Sequence, residues 1–403
     1  MDLNALLRRA VELGASDIHL KLEQPPMLRR DGSIGPIDGA PALLEQDLLG
    51  ALETVTRIAP DRMRIFHETG DLDIAYTAEG LPRFRVNVFR QRGATSFAFR
   101  VIPREVPGFD QLRMPAGVRR LANEHRGLVL VTGATGSGKT TTLAAMLDHI
   151  NRTRQQHIVT IEDPIEILHP DRSCIVNQRE VGLDTENFGQ ALRRALRQDP
   201  DTILIGELRD AETAQTALQA AESGHLVFST LHTIDAAETV GRMIEFFPPA
   251  KQQQIRSVLA GVLRGVVSQR LLPRVDGGRI AAVEVMVTNA RIADLIRESR
   301  TEEIADAVAE GQFFDMQTFQ QALIEHVLAG IVEREVAANA ATNTHDFLVA
   351  LEHAEKVQLF QASQQAAEQA EAPPVDAPPV EPLPALTLEP EESALRVVRP
   401  AGA

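Results

Sequence analysis

Cysteine is nearly absent from this sequence. Cys174 is the only one in 403 residues, so the chain can close no intramolecular disulfide and build no multi-cysteine zinc site, which fits a reducing compartment. As a lone residue it reads as a small apolar side chain. Positive charge is also short: the formal net charge is −15. A sequence-independent nucleic-acid binder needs concentrated Lys and Arg to neutralise phosphates, so that class is disfavoured, although local basic patches remain open. Long apolar runs are missing too. No stretch approaches the roughly 20 apolar residues of a spanning helix, and the best helical candidate, "IRSVLAGVLRGVVSQRLL" (255–272), is interrupted by Arg264 and Arg270. Any membrane role is therefore expected to be peripheral. The opening "MDLNALLRRAVELGASD" has an acid at position 2 and no uninterrupted apolar core, so it does not read as a signal peptide and the protein is expected to stay inside the cell.

What is present suffices for two domains and an appendage, since 44% of the residues are hydrophobic. Residues 1–110 carry strand-like pieces, "SDIHL" and "LDIAYT", then "RFRVNVFR" (83–90) and "TSFAFRVIP" (95–103) joined by "QRGA". That pair reads as a hairpin, and the region as a small α+β domain. Pro103, Pro107, Gly108 and Pro115 punctuate a linker. Over 117–345 the short apolar runs "LVLVT" (128–132), "HIVTI" (157–161), "TILIG" (202–206) and "LVFST" (226–230) alternate with helical patterns. This alternation predicts an α/β domain with a mainly parallel sheet. Residues 346–403 open with a candidate helix, "DFLVALEHAEKVQLFQASQQAAEQAEA", and continue rich in Pro, Ala and Glu. That composition buries too little apolar surface to fold, so a disordered tail is expected.

The most informative stretch is "GATGSGKTTTLAAML" (133–147), set between the strand "LVLVT" and a helical pattern. Gly133 and Gly138 occupy the glycine positions of G-x-x-x-x-G-K-[ST], which lets backbone N–H groups approach a phosphate closely. Gly133, Ala134, Thr135, Gly136, Ser137, Gly138, Lys139, Thr140 and Thr141 are therefore the candidate nucleotide-binding residues. Lys139 would reach the β- and γ-phosphates, and Thr140 would offer its hydroxyl to Mg²⁺. ATP or GTP is the expected ligand.

In a parallel sheet, ligands gather beyond the carboxyl ends of the strands. "EDPIEI" (162–167) places Glu162 and Asp163 at one such end, "TILIGELRD" (202–210) places Glu207 at another, and "STLHT" (229–233) places His232 at a third. In isolation the acids read as solvated loop residues and the histidine as a packing or surface residue. Convergence on the phosphate loop makes them site candidates. Glu207 suits a general base for the attacking water or a Mg²⁺ contact through water. Gly206 stands where many nucleoside triphosphatases place a Mg²⁺-binding Asp, so direct ligation is the weaker of those roles. His225, at the opposite end of its strand, is expected to be structural.

Alternation in the hairpin puts Phe84, Val86 and Val88 on one face and Arg83, Arg85 and Asn87 on the other, with Arg100 joining the arginines from the second strand. An ordinary solvated sheet face is one reading of them. The other is that they reach the γ-phosphate of another subunit.

"GATGSGKTTTLAAM", "TIEDPIE", "ALRQDPDTILIGELRD" and "STLHT" resemble the Walker A, Asp box, Walker B and His box of the type II/IV secretion ATPases. "ASDIHL", "PPMLRRDG", "RFRVNVFRQ", "FRVIP" and "FFPPAKQQQIRSVLAGVLRGVVSQRLLP" extend the resemblance, which covers nearly all of residues 1–335. It is strongest to the pilus-retraction branch that serves twitching motility. "ARIADLIRES" (290–299) resembles that branch's Ala-Ile-Arg-Asn-Leu-Ile-Arg-Glu signature but departs from it at Arg291, Ile292 and Ala293. Assembly and secretion motors of the family commonly carry a longer N-terminus and a four-cysteine zinc insertion.

The resemblance implies a PAS-like N-terminal domain, a RecA-like P-loop core, ATP and Mg²⁺ as ligands, and a homo-hexamer in which one subunit's small domain packs on the next core. It also makes Arg83, Arg85 and Arg100 candidate trans ligands. The implied setting is the cytoplasmic face of the inner membrane, with a pilus platform protein and a second retraction ATPase as partners and no nucleic acid. Three alternatives stay open: a pilus-assembly or type II secretion ATPase, a low-turnover ATP-binding accessory subunit, and a nucleic-acid translocase.

Overall fold

The computed structural model describes residues 1–371 except 31, 58 and 103–105. Pro103 of the linker and the expected disordered tail at 372–403 thus lie outside the described residues. Residues 1–348 form one compact unit with two hydrophobic cores.

The first core belongs to a small lobe. Its strands are β1 (Asp17–Leu20), β2 (Met27–Arg30), β3 (Ser33–Pro36), β4 (Asp71–Tyr76), β5 (Phe84–Gln91) and β6 (Ala94–Val101). They form one sheet in the order β3-β2-β1-β6-β5-β4, with every neighbouring pair antiparallel. The expected hairpin is β5–β6, turning at Arg92 and Gly93, both with left-handed φ. Alternation holds as read: Phe84, Val86, Val88, Phe97 and Phe99 are buried. They pack with Leu3 and Leu7 of the helix Leu3–Glu12 and Leu48 and Leu52 of the helix Glu45–Thr56. Only one face is covered in this way, so Arg85 and Arg100, directly opposite each other in the ladder, stand on the other.

The second core belongs to a seven-stranded sheet of β7 (Gly127–Thr132), β8 (His157–Glu162), β9 (Ile175–Glu180), β10 (Thr202–Ile205), β11 (Leu226–Leu231), β12 (Leu263–Pro273) and β13 (Arg279–Val287). The order is β13-β12-β7-β11-β10-β8-β9. All neighbours are parallel except β12 and β13. The four apolar runs are β7, β8, β10 and β11, side by side at the centre.

One expectation is overturned. Residues 255–272 are not a single helix: the helix Pro249–Val262 stops and β12 begins at Leu263. Val266 and Val267 are fully buried, and a Cβ at Gly265 would meet the Met286 carbonyl at 2.4 Å. An apolar run of this length is ambiguous between helix and strand, and the open edge of β7 decides it. Strand β9 went unread as well, because the polar sequence "IVNQRE" forms the sheet's edge and carries no apolar run.

The expected C-terminal helix is present as Thr344–Glu371. Among the described residues, no helix is long and apolar enough to cross a membrane.

Candidate functional site

Every residue of β7 is buried, and the chain leaves it into the glycine-rich loop before the helix Lys139–Thr153. Gly133, Gly136 and Gly138 all take left-handed φ. At Gly133 a side chain has no room, because a Cβ would fall 2.4 Å from the Gln269 carbonyl of β12. The loop is thereby pressed against the sheet at the head of a helix. Thr135, Gly136, Gly138, Lys139, Thr140 and Thr141 line an open crevice of about 640 Å³. Gly133 and Ser137 are buried. Ala134 and Gly133 supply the carbonyls to which Lys139 Nζ donates, at 3.1 and 2.7 Å.

Burial pushes the Lys139 ammonium below its usual range, and the nearby carboxylates of Glu207 and Glu166 oppose that shift. A cation kept in a half-buried, carboxylate-flanked mouth gains much from an arriving polyanion. The Ser137 hydroxyl is buried without a hydrogen-bond partner, an unused donor inside the same cradle. These features fit a nucleoside triphosphate. For Mg²⁺ the donors at hand are the Thr140 hydroxyl and Glu207; no cluster of three or more His, Cys, Asp or Glu suited to a metal occurs among the described residues. Gly206 has a packing reason: its Cβ would lie 3.3 Å from the Ile161 carbonyl, where β10 and β8 approach.

Glu207 follows β10 and is held from two sides. Arg209 Nε donates to its Oε2 at 3.0 Å, and His232 Nε2, just past the end of β11, lies 3.3 Å from its Oε1. Arg209 also reaches Asp163 at 3.7 Å. Glu207, Asp163 and His232 all line the crevice, so three strand ends meet the phosphate loop there. His225 instead shares hydrogen bonds with Ser223 and the Ala220 carbonyl at the far end of β11.

Glu162 stands differently from its expected place beside the phosphate. It touches the crevice but is only 8% exposed, accepting from Thr160 Oγ1 at 2.7 Å and Gln178 Nε2 at 3.0 Å. Burial pushes its carboxyl above the usual range. Its neighbour four residues on, Glu166, was missed by sequence reasoning. It lines the crevice, lies 3.6 Å from Arg85 and acts on Lys139. No periodicity could have found it, since β8 ends at Glu162 and the segment after it has no regular repeat.

From the small lobe, Arg85 and Arg100 line the same crevice in their own chain. Arg100 Nε donates to Asp17 at 2.9 Å. Arg83 does not line it: its guanidinium is engaged by Glu180 at the end of β9. The linker contributes Leu112, Arg113 and Met114 to the crevice wall, and the β12–β13 hairpin contributes Leu271, Arg274 and Arg279, none of which had been assigned from sequence. No residue of 290–299 lines it; Arg291 pairs with Glu310 there.

Known proteins share this architecture. A Pseudomonas aeruginosa protein named type IV pilus retractation ATPase PilT is 45% identical over 348 residues, covering 86% of this chain and 100% of that protein. The type IV pilus ATPase PilU of the same organism is 39% identical, covering 86% of this chain and 90% of PilU. A crystal structure of the pilus retraction motor PilT with bound ADP superposes with a TM-score of 0.80 at 43% identity, covering 86% of this chain and 98% of that one. The family described as type II/IV secretion system protein matches residues 1–345. With both lobes and every strand of the crevice inside that match, the chain belongs to the type II/IV secretion system protein family.

Proposed function

We propose that this chain is an ATP-hydrolysing motor that powers retraction of type IV pili. The observation that carries the reading is the meeting of Lys139, Glu207 and His232 with the small-lobe Arg85 and Arg100 on one crevice, in a chain alignable along the whole length of a retraction ATPase. The loop amides and Lys139 would bind the phosphates, with Thr140 and, through water, Glu207 holding Mg²⁺. The ion would neutralise charge on the transferring phosphoryl group.

The chain's own residues account for the rest. Glu207, fixed by Arg209 and His232, is oriented to accept the proton of an attacking water. Glu162, buried at the strand tip, ties β8 to Gln178 of β9 beside the crevice, while Glu166 offers a second carboxylate there. Arg85 and Arg100 would stabilise charge on the γ-phosphate; in a homo-hexamer a neighbour's arginines would act in trans in the same way. His232 touches Glu207 and so couples phosphate state to the helix Ala236–Glu245 that follows it. Work on a pilus requires the hexamer to stand at the cytoplasmic face of the inner membrane against a platform protein.

The similarity to PilU over 90% of that protein favours a second reading, an ATPase that assists another retraction motor. The test is Glu207→Gln on the chromosome, with labelled pili followed in time. Many long pili that never shorten support retraction by this chain. Bald cells make it an assembly motor, and normal retraction assigns the work to another ATPase.

A further inference from the structure

The small lobe meets the core lobe through Arg83 and Arg85, at the start of β5, and Arg62 of the helix Pro60–Thr69. Arg83 Nη2 donates to Glu180 Oε2 at 2.5 Å, and Arg85 Nη1 lies 3.6 Å from Glu166 Oε1. Arg62 stands so close to Gly182 that a Cβ there would fall 2.4 Å from its Nη2. The two ion pairs differ in exposure. Side chains of Arg85 and Glu166 are 38% and 43% exposed, those of Arg83 and Glu180 only 14% and 4%. A solvent-screened pair holds little, whereas a buried pair resists losing either member. Arg83 Nε is itself buried without a partner, so the guanidinium's anchoring rests on Glu180.

Glu180 holds more than Arg83. The same Oε2 accepts from the amide of Ile165 at 3.2 Å, the residue next to Glu166. The Glu180 amide donates to Asp184 at 2.8 Å, and the Val181 amide donates to the Glu162 carbonyl at 2.8 Å. One carboxylate oxygen therefore joins the small lobe to the loop that carries Glu166 into the crevice.

We infer that Glu180 is a positioning residue for Glu166 and that Arg83 engages it. When the small lobe is docked, the Arg83–Glu180 pair fixes the 163–167 loop and sets Glu166 beside Arg85 at the crevice. When the lobe moves away, Glu180 loses its buried cation and its hold on the Ile165 amide weakens. The position of the small lobe is thus transmitted to a crevice carboxylate through a residue that does not line the crevice. The inference rests on the proposed ATP hydrolysis for its kinetic readout only.

Glu180→Gln keeps an acceptor oxygen for Ile165 but removes the charge that binds Arg83; Arg83→Gln leaves Glu180 untouched. In the full-length protein, either change is expected to lower kcat roughly 10- to 100-fold, the cost of a misplaced active-site group. Affinity for a fluorescent ATP analogue should change less than about twofold, because the phosphate loop is unaltered. Amide hydrogen exchange at residues 165–167 should quicken by about tenfold or more, and Arg83→Lys, which keeps a cation for Glu180 and leaves the Ile165 acceptor in place, should stay near wild type in both readouts. Wild-type exchange at 165–167 in both single variants would overturn the inference, whether or not the chain hydrolyses ATP. Quickened exchange with unchanged kcat would also overturn it, by removing Glu166's place in turnover. Because loss of either member of a buried pair can lower the melting temperature, exchange at 165–167 is compared with exchange along the buried strand β7 in the same proteins, and quickening of equal size in both would overturn the inference.

Discussion

In the core lobe, β7, β10 and β11 are buried at every residue, whereas β5 of the small lobe alternates buried with half-exposed positions. The difference decides where each sheet can hold charge. Parallel strands covered on both faces leave no room for a charged side chain along their length, so polar groups collect where the strands end. The phosphate loop, Glu207 and His232 all sit at such ends. An antiparallel sheet covered on one face can carry charge in mid-strand, and Arg85 and Arg100 do so. The crevice is the ends of one sheet facing the open side of the other.

The comparison can be broken most severely at the strand-end side. Lys139→Ala should reduce ATP turnover on the order of 10³-fold or more, since on the proposed reading it removes the cation that would meet the transferring phosphate. Circular dichroism and the melting temperature should stay near wild type. Full turnover in a folded Lys139→Ala protein would remove the phosphate loop from the reaction. On the open-face side, Arg85→Ala should lower kcat by roughly 10²- to 10³-fold, the usual loss for one donor at a developing charge. Unchanged steady-state kinetics would return Arg85 to an ordinary solvated face.

Glu284 sharpens the comparison because it is a carboxyl in the middle of a core-lobe strand. It lies on β13, accepts from the Ala236 amide at 2.8 Å, and burial pushes its pKa up to about 7. A folded-state value raised above the ordinary 4.5 means that its contribution to stability is full below that pH and is lost as pH rises through about 7. Glu284→Gln, which never ionises, should therefore gain on wild type between pH 4.5 and 8, by roughly 3 kcal/mol on the linkage relation. Denaturant unfolding of both proteins across that range measures the gap, and a pH-independent difference would mean that the carboxyl is not held neutral. The smallest expected effect is at a helix end. Asp210 caps the helix Ala211–Glu222 by accepting from the Thr213 amide at 2.8 Å, so Asp210→Ala should cost about 1 kcal/mol in the same assay.

Much of the core lobe was legible because its signals are local. A run such as "LVLVT" followed by glycines and a lysine constrains strand, turn and helix within 20 or so residues, and Glu207 and His232 follow from strand ends in the same way. Residues 255–272 misled because an apolar segment suits helix and strand alike; its second half became β12 only because β7 and β13 flank it. Glu162 and Glu166 were interchanged in prominence for a related reason. Both sit in "EDPIE", but which carboxylate sinks under Thr160 and Gln178 depends on β9, a polar edge strand with no periodic signature.

The arginines mark the boundary. Alternation alone put Arg83, Arg85 and Arg100 on one face, because strand geometry turns successive side chains to opposite sides. Which of them faces the crevice depends on contacts 97 residues apart in the chain, where Glu180 engages Arg83 and leaves Arg85 and Arg100 on the crevice. The sequence by itself determined the glycine-rich loop, the parallel sheet and the residues at its strand ends, since backbone preference and side-chain period act over a few neighbours. Only the tertiary structure decided the partners of those residues, the fate of β12 and the placing of Glu166, because burial and charge pairing are set by whatever distant segment arrives beside them.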